Sequence, residues 1–195
     1  MRIAIILALG YVCGSVPFAL LLTRARGVDL RAAGSRNLGA ANVLRTAGTP
    51  RAVAVLMLDA SKGAAAVLVA MLLTDDLVVT MAAGLASIVG HIYSVWIRFR
   101  GGKGVATSAG VFAVLAPPAT AIAVLVFICT IIATRFVSAG SIAAALALPV
   151  AAIVANAPLP VVSGAMAAAA VVAFRHRENV TRLVAGTEQR IGLRL

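Results

Sequence analysis

The fold class this chain predicts is an all-α integral membrane protein: a seven-span helical bundle with a short fourth helix and motif-bearing cytoplasmic loops. Three observations carry that expectation. The 195 residues are 62% hydrophobic and only 12% charged, with a mean hydropathy of +1.06, too few charges to clothe a globular fold in water. Apolar runs of spanning length recur along the whole chain rather than once at its start, which excludes a single removable signal peptide and leaves targeting to the first span. The basic residues lie in short segments between those runs, as membrane orientation demands.

The first span covers residues 3–22 and is interrupted at Gly14-Ser15-Val16-Pro17. Small residues and a proline there point to a helix irregularity or to close helix packing. A polar loop of about thirty residues follows over 23–51, and loops that long in compact domains are usually functional. The second and third spans, 52–73 and 77–97, flank Asp75-Asp76; each is near the roughly 20 residues that cross about 30 Å of hydrocarbon. Asp59 and Lys62, three apart on the second span, can face one another as an ion pair. His91, beside Gly90, suits a packed, hydrogen-bonded histidine as well as a functional one. After a second polar loop over 98–104, the run 105–116 is short for a span and stops at Pro117-Pro118. Spans over 119–134, 137–155 and 159–174 complete the set, and a basic tail begins at Arg175.

Charge decides whether the short run crosses. Seven passes put Arg24, Arg26, Arg31, Arg36, Arg45, Arg51, Arg98, Arg100, Lys103, Arg135 and the tail arginines on the cytoplasmic side. Asp75-Asp76, Pro117-Pro118 and Asn156-Ala157-Pro158 then face out, and Arg2 is the only arginine outside. Six passes would set the first basic loop and the tail on opposite sides, against the positive-inside tendency. The expected topology therefore has the N-terminus outside, the C-terminus in the cytoplasm, and a fourth helix that its neighbours shelter or that thins the bilayer. A re-entrant half-helix is the competing path. No internal repeat or soluble domain interrupts the chain, so residues 1–195 are expected to form one polytopic domain.

Several function classes drop out. Cys13 and Cys129 lie far apart in apolar runs with no metal or redox spacing around them, and are expected to be small core residues. A net charge of +11 with only nine aromatics, and basic residues nearly all in short loops beside spans, fits orientation better than nucleic-acid binding. Arg100-Gly101-Gly102-Lys103-Gly104 is not a Walker A loop, because Gly, four residues, then Gly-Lys-Ser/Thr is absent. Ionisable groups at the membrane edge are costly and mark a substrate site. Those present are of the kinds an anion needs: glycines that let backbone approach a ligand, an arginine fork and a lysine point charge, set before a helix N-terminus. The expected ligand is a phosphate.

Gly34-Ser35-Arg36-Asn37-Leu38-Gly39-Ala40-Ala41-Asn42-Val43-Leu44-Arg45, Asp59-Ala60-Ser61-Lys62-Gly63, the run from His91 to Arg100-Gly101-Gly102-Lys103-Gly104-Val105-Ala106-Thr107, and Asn179 to Gly186-Thr187-Glu188 occur in that order. Together they resemble the bacterial acyl-phosphate:glycerol-3-phosphate acyltransferases over nearly the whole chain. Arg36 and Ala41 stand where that family usually has Gly and Thr, Ser94 where it has Pro, and Arg100 where it has Lys. These departures bear on substrate affinity rather than reaction type. The resemblance implies transfer of a fatty acyl group from acyl phosphate to the 1-hydroxyl of sn-glycerol 3-phosphate, giving lysophosphatidic acid and phosphate in the bacterial inner membrane, with membrane lipid but no nucleic acid as partner. It calls for no metal or cofactor, and a monomer suffices.

On that resemblance, Arg45 and Lys103 neutralise phosphate. Ser35 and Asn179 hydrogen-bond the reacting phosphate or carbonyl, and His176 positions or moves a proton. Gly34, Asn37, Gly39, Asn42, Gly101, Gly102, Gly104, Thr107 and Glu188 complete the substrate contacts, the glycines by shaping loops and donating backbone N–H groups. An acyl phosphate is already activated, so orientation and charge stabilisation suffice and no acyl-enzyme is required. A His with an Asp five residues later, the mark of another acyltransferase class, is missing: Trp96 follows His91 and Thr181 follows His176 at that offset. Plainer roles stand beside these: a capping serine at 35, headgroup contact for the basic residues, an arginine partner for Glu188. The rival class is a transporter or channel for a small phosphorylated anion, which would also use broken helices and buried charge. No inverted repeat supports it.

Overall fold

A computed structural model describes residues 1–24 and 27–192, so the topology expectations for Arg26 and for the last arginine lie outside the described residues. Ten α-helices and no strand occur among the described residues: α1 Arg2–Ser15, α2 Phe18–Arg24, α3 Ala40–Ala47, α4 Thr49–Leu73, α5 Leu77–Ile92, α6 Val105–Leu115, α7 Pro117–Thr134, α8 Val137–Val154, α9 Leu159–Arg175 and α10 Arg177–Val184. They pack into two compact units, Met1–Val114 and Leu115–Leu195.

The first unit is built on α1, α4 and α5. The interruption expected at 14–17 is a true break: α1 ends at Ser15 and α2 starts at Phe18, because Pro17 has no N–H to continue the ladder. Glycine sets the spacing of α1 and α5, since a side chain at Gly14 would run into the Ser87 backbone. α4 meets α6 in the same way. A Cβ at Gly63 would overlap the Thr107 carbonyl, and one at Gly110 the Ala60 carbonyl. α5 starts where Asp76 caps it, its Oδ1 accepting from the Val78 and Val79 N–H groups at 2.8 and 3.4 Å. It ends at Ile92 and is followed by a single 3-10 turn over Val95–Ile97.

The stretch 23–51 is not all loop. Ala40, Val43, Leu44 and Ala47 recur at helical spacing, and α3 buries them with Leu30, Leu38, Ala52 and Val55. The second unit packs α7, α8 and α9 side by side, and α10 turns away from α9 by 55° at His176. The tail is thus helical at its start.

Among the described residues, five helical segments are long and apolar enough to cross a membrane: 2–24, 49–73, 77–97, 117–134 and 137–154. α9 joins them if the bent pair with α10 counts as one span. α6, with 11 residues, rises only about 16 Å at 1.5 Å per residue. Leu72, Ile132 and Leu159 are 85%, 75% and 77% exposed, an outward apolar surface of the kind that spanning helices turn to lipid. That outward apolar face also corrects the expectation for cysteine. Cys129 is exposed and Cys13 half-buried, because an apolar neighbourhood in a membrane chain means lipid as often as core.

Candidate active site

The first motif folds around one side chain. Asn42, on α3, is 1% exposed; its Oδ1 accepts from the Ser35 N–H at 2.8 Å, and its Nδ2 donates to the Leu30 and Ala33 carbonyls, both at 3.2 Å. Gly34, at φ +57°, lies against the same amide with no room for a Cβ. The chain from Leu30 to Ser35 is thereby bent so that Ser35 is exposed while Asn42 is used up inside. These three bonds give Asn42 an organising role in the turn that carries Ser35. Asn37 is half-buried, and Gly39 caps α3 without a side chain of its own. Arg45 projects half-buried from the last turn of α3.

The second motif closes the end of α5. The Gly101 N–H donates to the Ile92 carbonyl at 2.8 Å and the Gly102 N–H to the His91 carbonyl at 3.2 Å. These backbone groups, expected to face an anion, instead satisfy carbonyls left over at a helix C-terminus. Lys103 is half-buried between them and Gly104, whose φ of +87° turns the chain into α6. In the first turns of α6, Thr107 Oγ1 and Ser108 Oγ are buried with no hydrogen-bond partner. Unpaired buried hydroxyls at a helix N-terminus beside a lysine are suited to an anion's oxygens.

The second unit holds the third group. His176, 3% exposed, sits at the α9–α10 junction with Nδ1 2.8 Å from the Val172 carbonyl. A carbonyl only accepts, so Nδ1 carries the proton and Nε2 is the basic nitrogen of the neutral ring. Glu188 gathers three donors: Oε1 accepts from Asn179 Nδ2 at 2.6 Å and Ser138 Oγ at 2.7 Å, and Oε2 from Arg182 Nε at 2.6 Å. Burial alone would raise this carboxyl, but those three bonds and the Arg182 charge outweigh it and hold Glu188 below the usual glutamate range. Glu188 fixes the Asn179 amide and pairs with an arginine, while Ser138 and Arg182 are members that sequence reasoning missed. Nothing at Ser138 distinguishes it in the sequence from other helix-start serines.

The Asp59–Lys62 pair forms as its spacing suggested, Nζ to Oδ1 at 2.7 Å, with side chains 4% and 3% exposed. No group of three or more His, Cys, Asp or Glu among the described residues is placed to hold a metal ion.

The glycerol-3-phosphate acyltransferase family model matches residues 4–186. A glycerol-3-phosphate acyltransferase of Geobacter sulfurreducens is 46% identical over 187 residues, 95% of this chain and 96% of its own. One of Myxococcus xanthus is 47% identical over 185 residues, 93% and 96% of the two chains. Crystal structures of PlsY (YgiH), described as an integral membrane glycerol 3-phosphate acyltransferase, superpose with TM-scores of 0.94 for its glycerol 3-phosphate form and 0.92 for its lysophosphatidic acid form. Identities are 37% and 36%, and each comparison covers 98% of this chain and 96% of the other. The sequence and backbone matches each run over almost the whole chain, and the chain belongs to the glycerol-3-phosphate acyltransferase family.

Proposed function

We propose that this protein, a multi-pass membrane glycerol-3-phosphate acyltransferase, draws its acyl group from an acyl phosphate. The glycerol 3-phosphate 1-hydroxyl attacks the acyl carbonyl, the bond from that carbon to the phosphate oxygen breaks, and lysophosphatidic acid and inorganic phosphate leave. This is the first step of phospholipid synthesis. The observation that carries it is the backbone match at a TM-score of 0.94 to the glycerol 3-phosphate form of PlsY.

In the first unit, Arg45 and Lys103 neutralise substrate phosphate, with Thr107 and the α6 N-terminus beside Lys103. Ser35 hydrogen-bonds the reacting phosphate or carbonyl from its exposed position. In the second, Asn179, held by Glu188, makes the same kind of contact, and His176 orients a substrate oxygen or takes its proton through Nε2. A phosphate oxygen of the substrate is the other proton acceptor on offer, in which case His176 only orients. The chain lies in the bacterial inner membrane as one polytopic domain of seven passes, N-terminus outside, and works as a monomer in contact with lipid. In support, the family match runs through both units from residue 4 to 186, and α6 supplies the short fourth helix that the charge pattern requires.

Purified protein in detergent, given palmitoyl phosphate with and without glycerol 3-phosphate, tests the reading. Phosphate release that needs glycerol 3-phosphate, yields lysophosphatidate, fails in Lys103→Ala and is not supported by acyl-CoA is expected. Folded protein that does not turn over would retire it in favour of anion transport, which liposome flux measures.

A further inference from the structure

Asp59 and Lys62 hold opposite charges 2.7 Å apart at 4% and 3% exposure inside a segment able to span the bilayer. Desolvating such a pair costs about what its attraction returns, so stability alone does not account for it. Its surroundings do. Lys62 Nζ also donates to the Val16 carbonyl at 2.9 Å, at the α1–α2 break, where Pro17 leaves the helix ladder incomplete. Ser94 Oγ donates to the neighbouring Ser15 carbonyl at 2.6 Å. On its other side the pair faces His91, whose Nδ1 is 3.6 Å from Asp59 Oδ1, in reach of its charge though too far for a hydrogen bond.

The far edge of the same imidazole lies against Gly102. A side chain there would run into His91 Nε2, and the Gly102 N–H donates to the His91 carbonyl at 3.2 Å. Ser15, Asp59, Lys62, His91, Ser94 and Gly102 all line one cleft of the first unit. Lys103 is the next residue in the chain.

We propose that Asp59, Lys62 and His91 are positioning residues for Lys103: the buried pair anchors the broken helix and seats the His91 ring, and that ring is the platform on which Gly102 sets the start of the lysine loop. The proposal deepens the acyltransferase reading and rests on it. None of the three touches substrate; each acts by fixing where the Lys103 ammonium sits.

The test is a double-mutant cycle between His91→Ala and Gly102→Ala in the full-length protein, read both as phosphate release from palmitoyl phosphate with glycerol 3-phosphate varied and as thermal midpoint. His91→Ala is expected to raise KM for glycerol 3-phosphate roughly tenfold or more in folded protein, as a misplaced binding group does. Gly102→Ala alone should cost a similar factor, because its methyl displaces the loop from the imidazole. In the His91→Ala background that methyl finds room, and its added cost should shrink to about twofold or less, the mark of coupled residues. A KM unmoved by His91→Ala, or a Gly102→Ala cost equal in both backgrounds, overturns the proposal. Should wild-type protein show no turnover, the acyltransferase reading is what fails; the thermal cycle still reads the contact, and additivity there overturns the platform.

Discussion

Removing the Glu188 carboxylate should separate holding from folding. Glu188→Ala removes an acceptor from two buried donors, Ser138 Oγ and Asn179 Nδ2, whose residues are 4% and 6% exposed. Removing the acceptor of a buried donor costs about 1–3 kcal/mol, so the two together cost roughly 3 kcal/mol. Arg182, with its side chain 38% exposed, turns to water and adds under about 1 kcal/mol. If the loss falls on the placement of Asn179, 3 kcal/mol lowers kcat/KM on the order of a hundredfold. Glu188→Gln keeps one carbonyl oxygen, which serves Ser138 and Asn179 together as Oε1 does now. Only the Arg182 bond is lost, at under about 1 kcal/mol or less than roughly fivefold. The assay is phosphate release by purified variants, matched for folded fraction. An Ala variant within about threefold of wild type, or a Gln variant as damaged as Ala, would refute the reasoning. So would a full additional loss when Glu188→Ala is placed on Asn179→Ala, because residues that act as a unit are not additive.

The depressed Glu188 carboxyl makes stability depend on pH. A folded-state value below the unfolded one contributes stability above the unfolded value of about 4.3 and loses it as pH falls through the folded value; the thermal-midpoint advantage of wild type over Glu188→Gln should therefore hold at pH 7 and vanish in strong acid. Asn42→Ala removes three hydrogen bonds from the turn that carries Ser35, and at about 1–3 kcal/mol it should appear as faster amide exchange over residues 30–38. Gly110→Val puts a side chain into the Ala60 carbonyl and should lower the thermal midpoint by an overpacking cost of about 1–3 kcal/mol as α4 and α6 part.

The spans were legible because lipid imposes one requirement, apolar length, that hydropathy measures directly. The short helices were harder. α3 hides in a motif rich in polar residues, yet Ala40, Val43, Leu44 and Ala47 carry the one-faced spacing that marks it, as Val180, Leu183 and Val184 do for α10. Residue type located the 34–45 and 91–107 motifs without showing which way each group turns. Residue type does not announce the three bonds by which Asn42 organises the Ser35 turn, and the Gly101 and Gly102 N–H groups read as an anion nest until α5 claims them. At Arg36 the backbone explains the glycine that the resemblance led one to expect: φ is +58°, a left-handed position where glycine costs nothing and an arginine is strained.

That so many motif residues are spent on backbone has a chemical consequence. Asn42 bends the Ser35 turn, Lys62 and Ser94 serve the carbonyls around a broken helix, and Glu188 holds an amide. A membrane gives these groups no water to fall back on, so each irregular segment near the site needs a polar side chain of its own. A substrate that had to be activated by the protein would demand a nucleophile and a base held beside it. A mixed anhydride brings its leaving group with it, and asks only for placed cations and hydrogen-bond donors. The economy of reactive side chains here, with Ser35 presented by Asn42 and the lysine loop seated on His91, is what such a donor makes sufficient.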